Sequence, residues 1–181
     1  MTPLGHLEFN SNSFDFEETN IYGIFEPHGN MTWHIEMFPA GEDNYIMLNS
    51  LFIEQVFSPQ RLSGIKYQAT NDESGLYDHT VRVDGRDRYL QSIEMVFGNW
   101  DTKNQSIQLS GQGIIEPDDN LPEVSYVFNA ILKFKELNIF ETTKEATQKF
   151  VETHLQDSNE SLEIKFEDVP SGLQATIGGR F

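Results

Sequence analysis

The chain contains no cysteine. That excludes disulfides, thiolate zinc sites and a cysteine nucleophile, and it fits a reducing compartment. No stretch approaches the roughly 18 consecutive apolar residues that a membrane-spanning helix needs. The first residues, Met1-Thr2-Pro3-Leu4-Gly5-His6, form neither the basic nor the apolar part of a leader. A cytoplasmic address is therefore the expectation.

Positive charge is also scarce. Twelve Lys and Arg stand against 29 Asp and Glu, a net charge of −17. The deficit is concentrated. Residues 1–60 carry nine acids (Glu8, Asp15, Glu17, Glu18, Glu26, Glu36, Glu42, Asp43, Glu54) and no Lys or Arg. Nucleic-acid binding needs a basic stripe to displace counterions from phosphates, and none is present. Anionic membrane is disfavoured on the same grounds. A basic protein is the electrostatically natural partner, although an acidic surface also serves solubility alone.

Catalytic signatures are missing as well. No Gly-x-Gly-x-x-Gly or Walker-type loop occurs, and Ser110-Gly111-Gln112-Gly113 does not fit a nucleophile elbow. His79 with Asp78 and Asp84 is a base with acids nearby in sequence, which says nothing about geometry. The expectation is a non-enzymatic protein with no cofactor and no resident metal.

What is present reads as a single domain, 181 residues long and mainly β. Its 14 Phe, 6 Tyr and 2 Trp favour strands. The dominant period is two. Leu162, Ile164 and Phe166 alternate with Glu163, Lys165 and Glu167, as in a half-buried strand. Val124, Tyr126, Phe128, Ala130, Leu132 and Phe134 line one face of a long strand, and Ile93, Met95 and Phe97 line another. Trp33, Ile35 and Met37 form a core face opposite His34 and Glu36. Turn residues separate the runs at His28-Gly29-Asn30, 101–105, 116–122 and Pro170-Ser171-Gly172. The segment 44–57 is apolar at nearly every position and reads as a buried strand pair or a short helix.

One helix is predicted at about 142–156. Thr142 and Glu145 form a capping box, and Ala146, Phe150, Val151, His154 and Leu155 form an apolar stripe. A final hairpin follows. The expected fold is thus α+β: an antiparallel β-sandwich or barrel-like sheet of about 8–10 strands with this single helix near the C-terminal end.

The order of many strands, one helix and a late strand resembles that of lipocalins and related calycin barrels, and Gly98-Asn99-Trp100 reads as their Gly-x-Trp. In that family the motif lies on the first strand, whereas here it sits mid-chain. The resemblance covers strand order alone, and it implies a small apolar ligand in the mouth of a barrel.

Several clusters carry possible chemistry. His34 and Glu36, with His28 and Glu26, are metal-ligand types without a metal-site spacing. The acid-rich loops 42–44, 71–73 and 116–120 lack the calcium-loop pattern. Arg82, Arg86 and Arg88 interleave with Asp84 and Asp87 as a salt-bridged tip around Gly85. Two functions are expected from this reading. The first is an acidic inhibitor, of the immunity-protein type, that neutralises a cationic protein such as a nuclease toxin. Its contact residues would come from Glu17, Glu18, Glu26, Trp33, Glu36, Glu42 and Asp43, with Tyr22, Trp33 or Tyr45 as aromatic anchors. The alternative is a barrel or sandwich with a Phe- and Tyr-lined cavity for a small apolar molecule.

Overall fold

A computed structural model describes residues 3–9, 12–39, 44–70, 79–83, 85–117, 122–155, 162–179 and 181. Among these residues eleven strands and one α-helix follow in chain order. The first four strands are β1 (Gly5–Phe9), β2 (Asn12–Phe25), β3 (Met31–Pro39) and β4 (Tyr45–Phe52). A single 3₁₀ turn, Pro59–Leu62, leads to β5 (Lys66–Thr70), β6 (His79–Val83), β7 (Arg86–Asp101), β8 (Ser106–Ile115) and β9 (Val124–Thr142). The helix α1 (Lys144–His154) and the hairpin β10 (Leu162–Val169) and β11 (Gly172–Gly179) complete the chain.

The pairings close on themselves. Neighbours run β2-β3-β4-β6-β7-β8-β9, and β9 returns to pair with β2 in parallel, Asn20 opposite Lys133 and Phe25 opposite Ile139. Among the described residues all other ladders are antiparallel. The nineteen-residue β9 holds the circuit together. One of its edges bonds first β8 and then β11; the other bonds first β1 and then β2. Strands this long bend round a small barrel through bulges, and the register shifts between Leu90 and Ser92 and between Phe97 and Trp100 serve that purpose in β7.

A circuit of about this number of strands has an interior just wide enough for side chains. Trp33, Phe16, Phe97, Tyr126 and Phe128 are all fully buried, as alternation required. Gly111 and Gly113 make the space. They face Phe128 and Tyr126 across the β8–β9 ladder, and the two rings stack at 6.1 Å over them. A Cβ on Gly111 would stand 2.4 Å from the Phe128 ring, and one on Gly113 would stand 2.7 Å from the Tyr126 hydroxyl. Tyr126 and Phe128 thus occupy the space over these two glycines inside the circuit. Concavities of about 520 and 430 Å³ open on the outside of β7, β8 and β9 beside Val96, Ser110 and Asn129, and one of about 580 Å³ is lined by Thr70, Gln91, Ser92, Ile114, Glu116, Pro117 and Glu123.

The helix starts one residue later than its sequence signature indicates. Thr143, not Thr142, is the N-cap, and its hydroxyl accepts the Ala146 amide at 3.1 Å. Thr142 is still strand, paired with Leu173, and its hydroxyl meets that of Thr147 at 3.2 Å. Glu145 therefore falls at the second helical position and completes no capping box. The helix covers the barrel end where β2 turns into β3. Phe150 packs on Phe25 at 4.7 Å and on Phe57 at 6.3 Å. Thr147, Phe150 and Leu155 are buried, whereas Ala146 is exposed.

Segment 44–57 resolves as one strand followed by loop. Ser50, at φ +54°, breaks the alternation of β4. The Trp33 indole N–H then donates to the carbonyl of Val56 at 3.2 Å, which ties the loop to the core.

Candidate functional site

The first four strands are consecutive neighbours in the sheet. The part of the chain without Lys or Arg therefore becomes one continuous wall, β1-β2-β3-β4. Outward positions on it include Glu8, Asp15 and Glu18, all exposed, and Glu36, which is half-buried. Glu17 is exposed at the bulge between Phe16 and Glu18.

Around Glu36 the wall is ordered by hydrogen bonds. The Asn20 amide donates to Glu18 Oε1 at 3.1 Å and to Glu36 Oε2 at 3.5 Å, and the Tyr22 hydroxyl donates to Glu36 Oε1 at 3.4 Å. Asn20 lies on β2 directly opposite Glu36 on β3, and Tyr22 opposite His34. The Tyr22 and His34 rings stack at 5.1 Å, 9° from parallel. Burial, and then the adjacent Glu36 carboxylate, raise the Tyr22 pKa above the usual phenol range. The phenol thus stays a hydrogen-bond donor at neutral pH. Lys135, reaching over from β9, sits 3.7 Å from Glu18 and offsets part of the charge. Two carboxylates are in this way linked through one buried amide beside an aromatic pair, an arrangement suited to meeting cationic side chains.

The other expected contact residues fall elsewhere. Trp33 is fully buried, because β3 alternation turns it inward, and it cannot anchor a surface contact. Glu26 is exposed, but it stands at the β2–β3 turn, eight residues along β2 from Glu18. At about 3.3 Å per residue the two are roughly 26 Å apart, so Glu26 belongs to a different end of the wall. Glu42 and Asp43 lie outside the described residues. Tyr45 is engaged: its hydroxyl donates to Asp87 Oδ1 at 2.6 Å, and the Arg82 guanidinium sits 5.0 Å from its ring centre.

Arg82 binds Asp87 through two N–H donors, each at 2.9 Å, which holds the Asp87 carboxyl below the usual range. That half of the expected salt-bridged tip is present, while Asp84 lies outside the described residues. Arg88 is buried, and it donates to the carbonyls of Glu116 and Pro122 across the barrel end. Among the described residues no group of three or more His, Asp or Glu is placed to hold a metal ion. His34 instead contacts Thr32, Asn49 and the Ser50 amide at 3.4–3.5 Å. Of the acid-rich loops, 71–73 and most of 116–120 are outside the described residues.

His154, on the apolar stripe at the end of the helix, sits in surroundings that oppose its charged form. Burial, and then Arg61, push its pKa down. Its ring lies 4.1 Å from that of Phe57 and 5.1 Å from that of Phe150. Desolvation and a nearby cation outweigh the helix dipole here.

No family model, no curated protein and no solved structure matches this chain. Among the described residues no helix is long and apolar enough to cross a membrane.

Proposed function

We propose that the chain is an acidic protein-binding module whose β1–β4 wall docks a cationic protein, in the manner of an inhibitor or immunity-type protein. The observation that carries this reading is the contiguity of the wall. A base-free sequence third forms adjacent strands, so its charges act on one side of the barrel rather than being spread around it. Charge gathered on one face steers encounter with a basic surface and fixes its orientation. The Glu18–Asn20–Glu36 linkage is ordered before any partner arrives, which lowers the entropic cost of binding.

The test is parallel capture from the source organism's lysate on three immobilised proteins. These are the parent, a wall variant (Asp15→Asn, Glu17→Gln, Glu18→Gln) and a control (Glu123→Gln, Glu145→Gln, Glu152→Gln). Each variant loses three exposed negative charges. A basic protein retained by the parent and the control, but lost by the wall variant, supports the reading. Equal retention by all three rejects the wall as the docking face.

A further inference from the structure

The sheet ends at β10. Among the described residues this strand bonds only to β11, and its other edge closes the strand order. Its main-chain polarity can be read from the hairpin. Val169 and Gly172 close a two-residue turn and face each other as a hydrogen-bonded pair. Alternation then turns the main-chain groups of Glu163, Lys165 and Glu167 towards β11, and those of Leu162, Ile164, Phe166 and Asp168 away from it.

Edge strands normally carry charge that prevents pairing with another chain. The charges of β10 have a different property: in one register they complement themselves. Two antiparallel copies related by a two-fold axis can bond only with outward-directed residues opposite one another. When the axis passes at Ile164, that residue faces its own copy, Leu162 faces Phe166, and Glu163 faces Lys165. Each unlike pair then occurs twice. A shift of the axis to Lys165 sets Lys165 against Lys165 and Glu163 against Glu167. A shift to Glu163 sets that carboxylate against itself. A shift to Phe166 places Ile164 opposite Asp168. Only the Ile164 register satisfies apolar, charged and main-chain groups together.

We infer that the protein forms a two-fold dimer by pairing β10 with β10 of a second copy, centred on Ile164. Three main-chain bonded pairs would join the sheets, with Glu163–Lys165 contacts on one face and Leu162–Phe166 contacts on the other. Phe166, 38% exposed and with the Lys144 ammonium 5.6 Å from its ring centre, gains an apolar neighbour. This is strand addition at a free edge with a self-complementary, isologous contact.

Two measurements test it. Lys165→Glu leaves both cross-strand pairs with like charge and is expected to weaken the dimer by about tenfold or more. The swap Glu163→Lys with Lys165→Glu is expected to restore it, as read by sedimentation equilibrium. Both positions are exposed and stand opposite the uncharged Gly178 and Thr176 on β11.

The absence of cysteine allows trapping with a single thiol. Ile164→Cys places two thiols on facing residues whose Cα atoms are about 5.5 Å apart, within disulfide reach. Phe166→Cys places them about 14 Å apart along the strands. Oxidised dimer is expected from the first and not from the second. A protein that is monomeric at every concentration overturns the inference. So does a dimer indifferent to Lys165→Glu, or one that crosslinks as readily through position 166 as through 164.

Discussion

Gly113 offers the most direct check on how this interior is filled. The residue faces Ile93 on β7 and Tyr126 on β9. An alanine Cβ there would lie 2.1 Å from the main-chain carbonyl oxygen of Ser92, 2.7 Å from the Tyr126 hydroxyl and 2.8 Å from its ring. A ring can turn, but the Ser92 carbonyl belongs to the ladder and can move only with β7. Relief of about 1 Å is needed to reach ordinary contact, which is overpacking of the kind that costs about 1–3 kcal/mol. The lower backbone entropy of alanine returns about 0.5–1 kcal/mol. The net expectation is a loss of about 1–2 kcal/mol, or roughly 2–8 °C in melting temperature for a domain of this size. Gly178, also in a strand but with nothing within 4 Å of its Cβ position, is the control, and its alanine variant should be neutral or slightly more stable. Thermal or urea unfolding of the two variants decides. If Gly113→Ala is as stable as the parent, Tyr126 does not fill the barrel over Gly113 in the way described.

Further outcomes follow from the same packing. The Tyr126 hydroxyl is buried without a hydrogen-bond partner among the described residues, so Tyr126→Phe should be neutral or stabilising by up to about 1 kcal/mol in the same assay. Thr143→Ala should cost about 1 kcal/mol, and Thr143→Ser should recover most of it, since Thr143 is the helix cap. The pKa of His154 is lowered on folding. Its contribution to stability is therefore fully present above the unfolded value near 6.5 and is lost as pH falls through the folded value. Urea midpoints should decline on acidification across that window, and the decline should be smaller in His154→Leu. Glu36→Gln should bring the Tyr22 titration closer to an ordinary phenol, as followed by NMR, because one of the causes raising it is removed.

Local order was legible where alternation ran unbroken. The inward Trp33, Ile35 and Met37 and the long apolar face of β9 could be read directly, and so could the turn at Pro170-Ser171. The same alternation turns Trp33 inward, against its place among the expected surface anchors. Reading failed where a local pattern was ambiguous or a partner was distant. Thr142 and Thr143 are both competent caps, and only the pairing of Thr142 with Leu173 in the sheet assigns the role to Thr143. The apolar run at 44–57 hides a single strand because Ser50 breaks its period. Closure through the parallel β2–β9 ladder joins residues more than one hundred positions apart, and no local signal encodes that. The acidic wall was half legible. Charge segregation was visible in the composition, but the adjacency of β1 to β4 came from the topology, which also separated Glu26 from Glu18. The Asn20 link between Glu18 and Glu36 was missed; its signal was the row Glu18, Asn20 and Tyr22 on one face of β2.

The most direct test of the account's central claim is the ionic-strength dependence of the association rate between the protein and its captured basic partner, measured for the parent and for the Asp15→Asn, Glu17→Gln, Glu18→Gln variant. Electrostatic steering predicts a rate that falls steeply as salt rises, with the variant slower at low salt and converging on the parent at high salt. A rate indifferent to salt, or one unchanged in the variant, would contradict the assignment of the β1–β4 wall as the docking face.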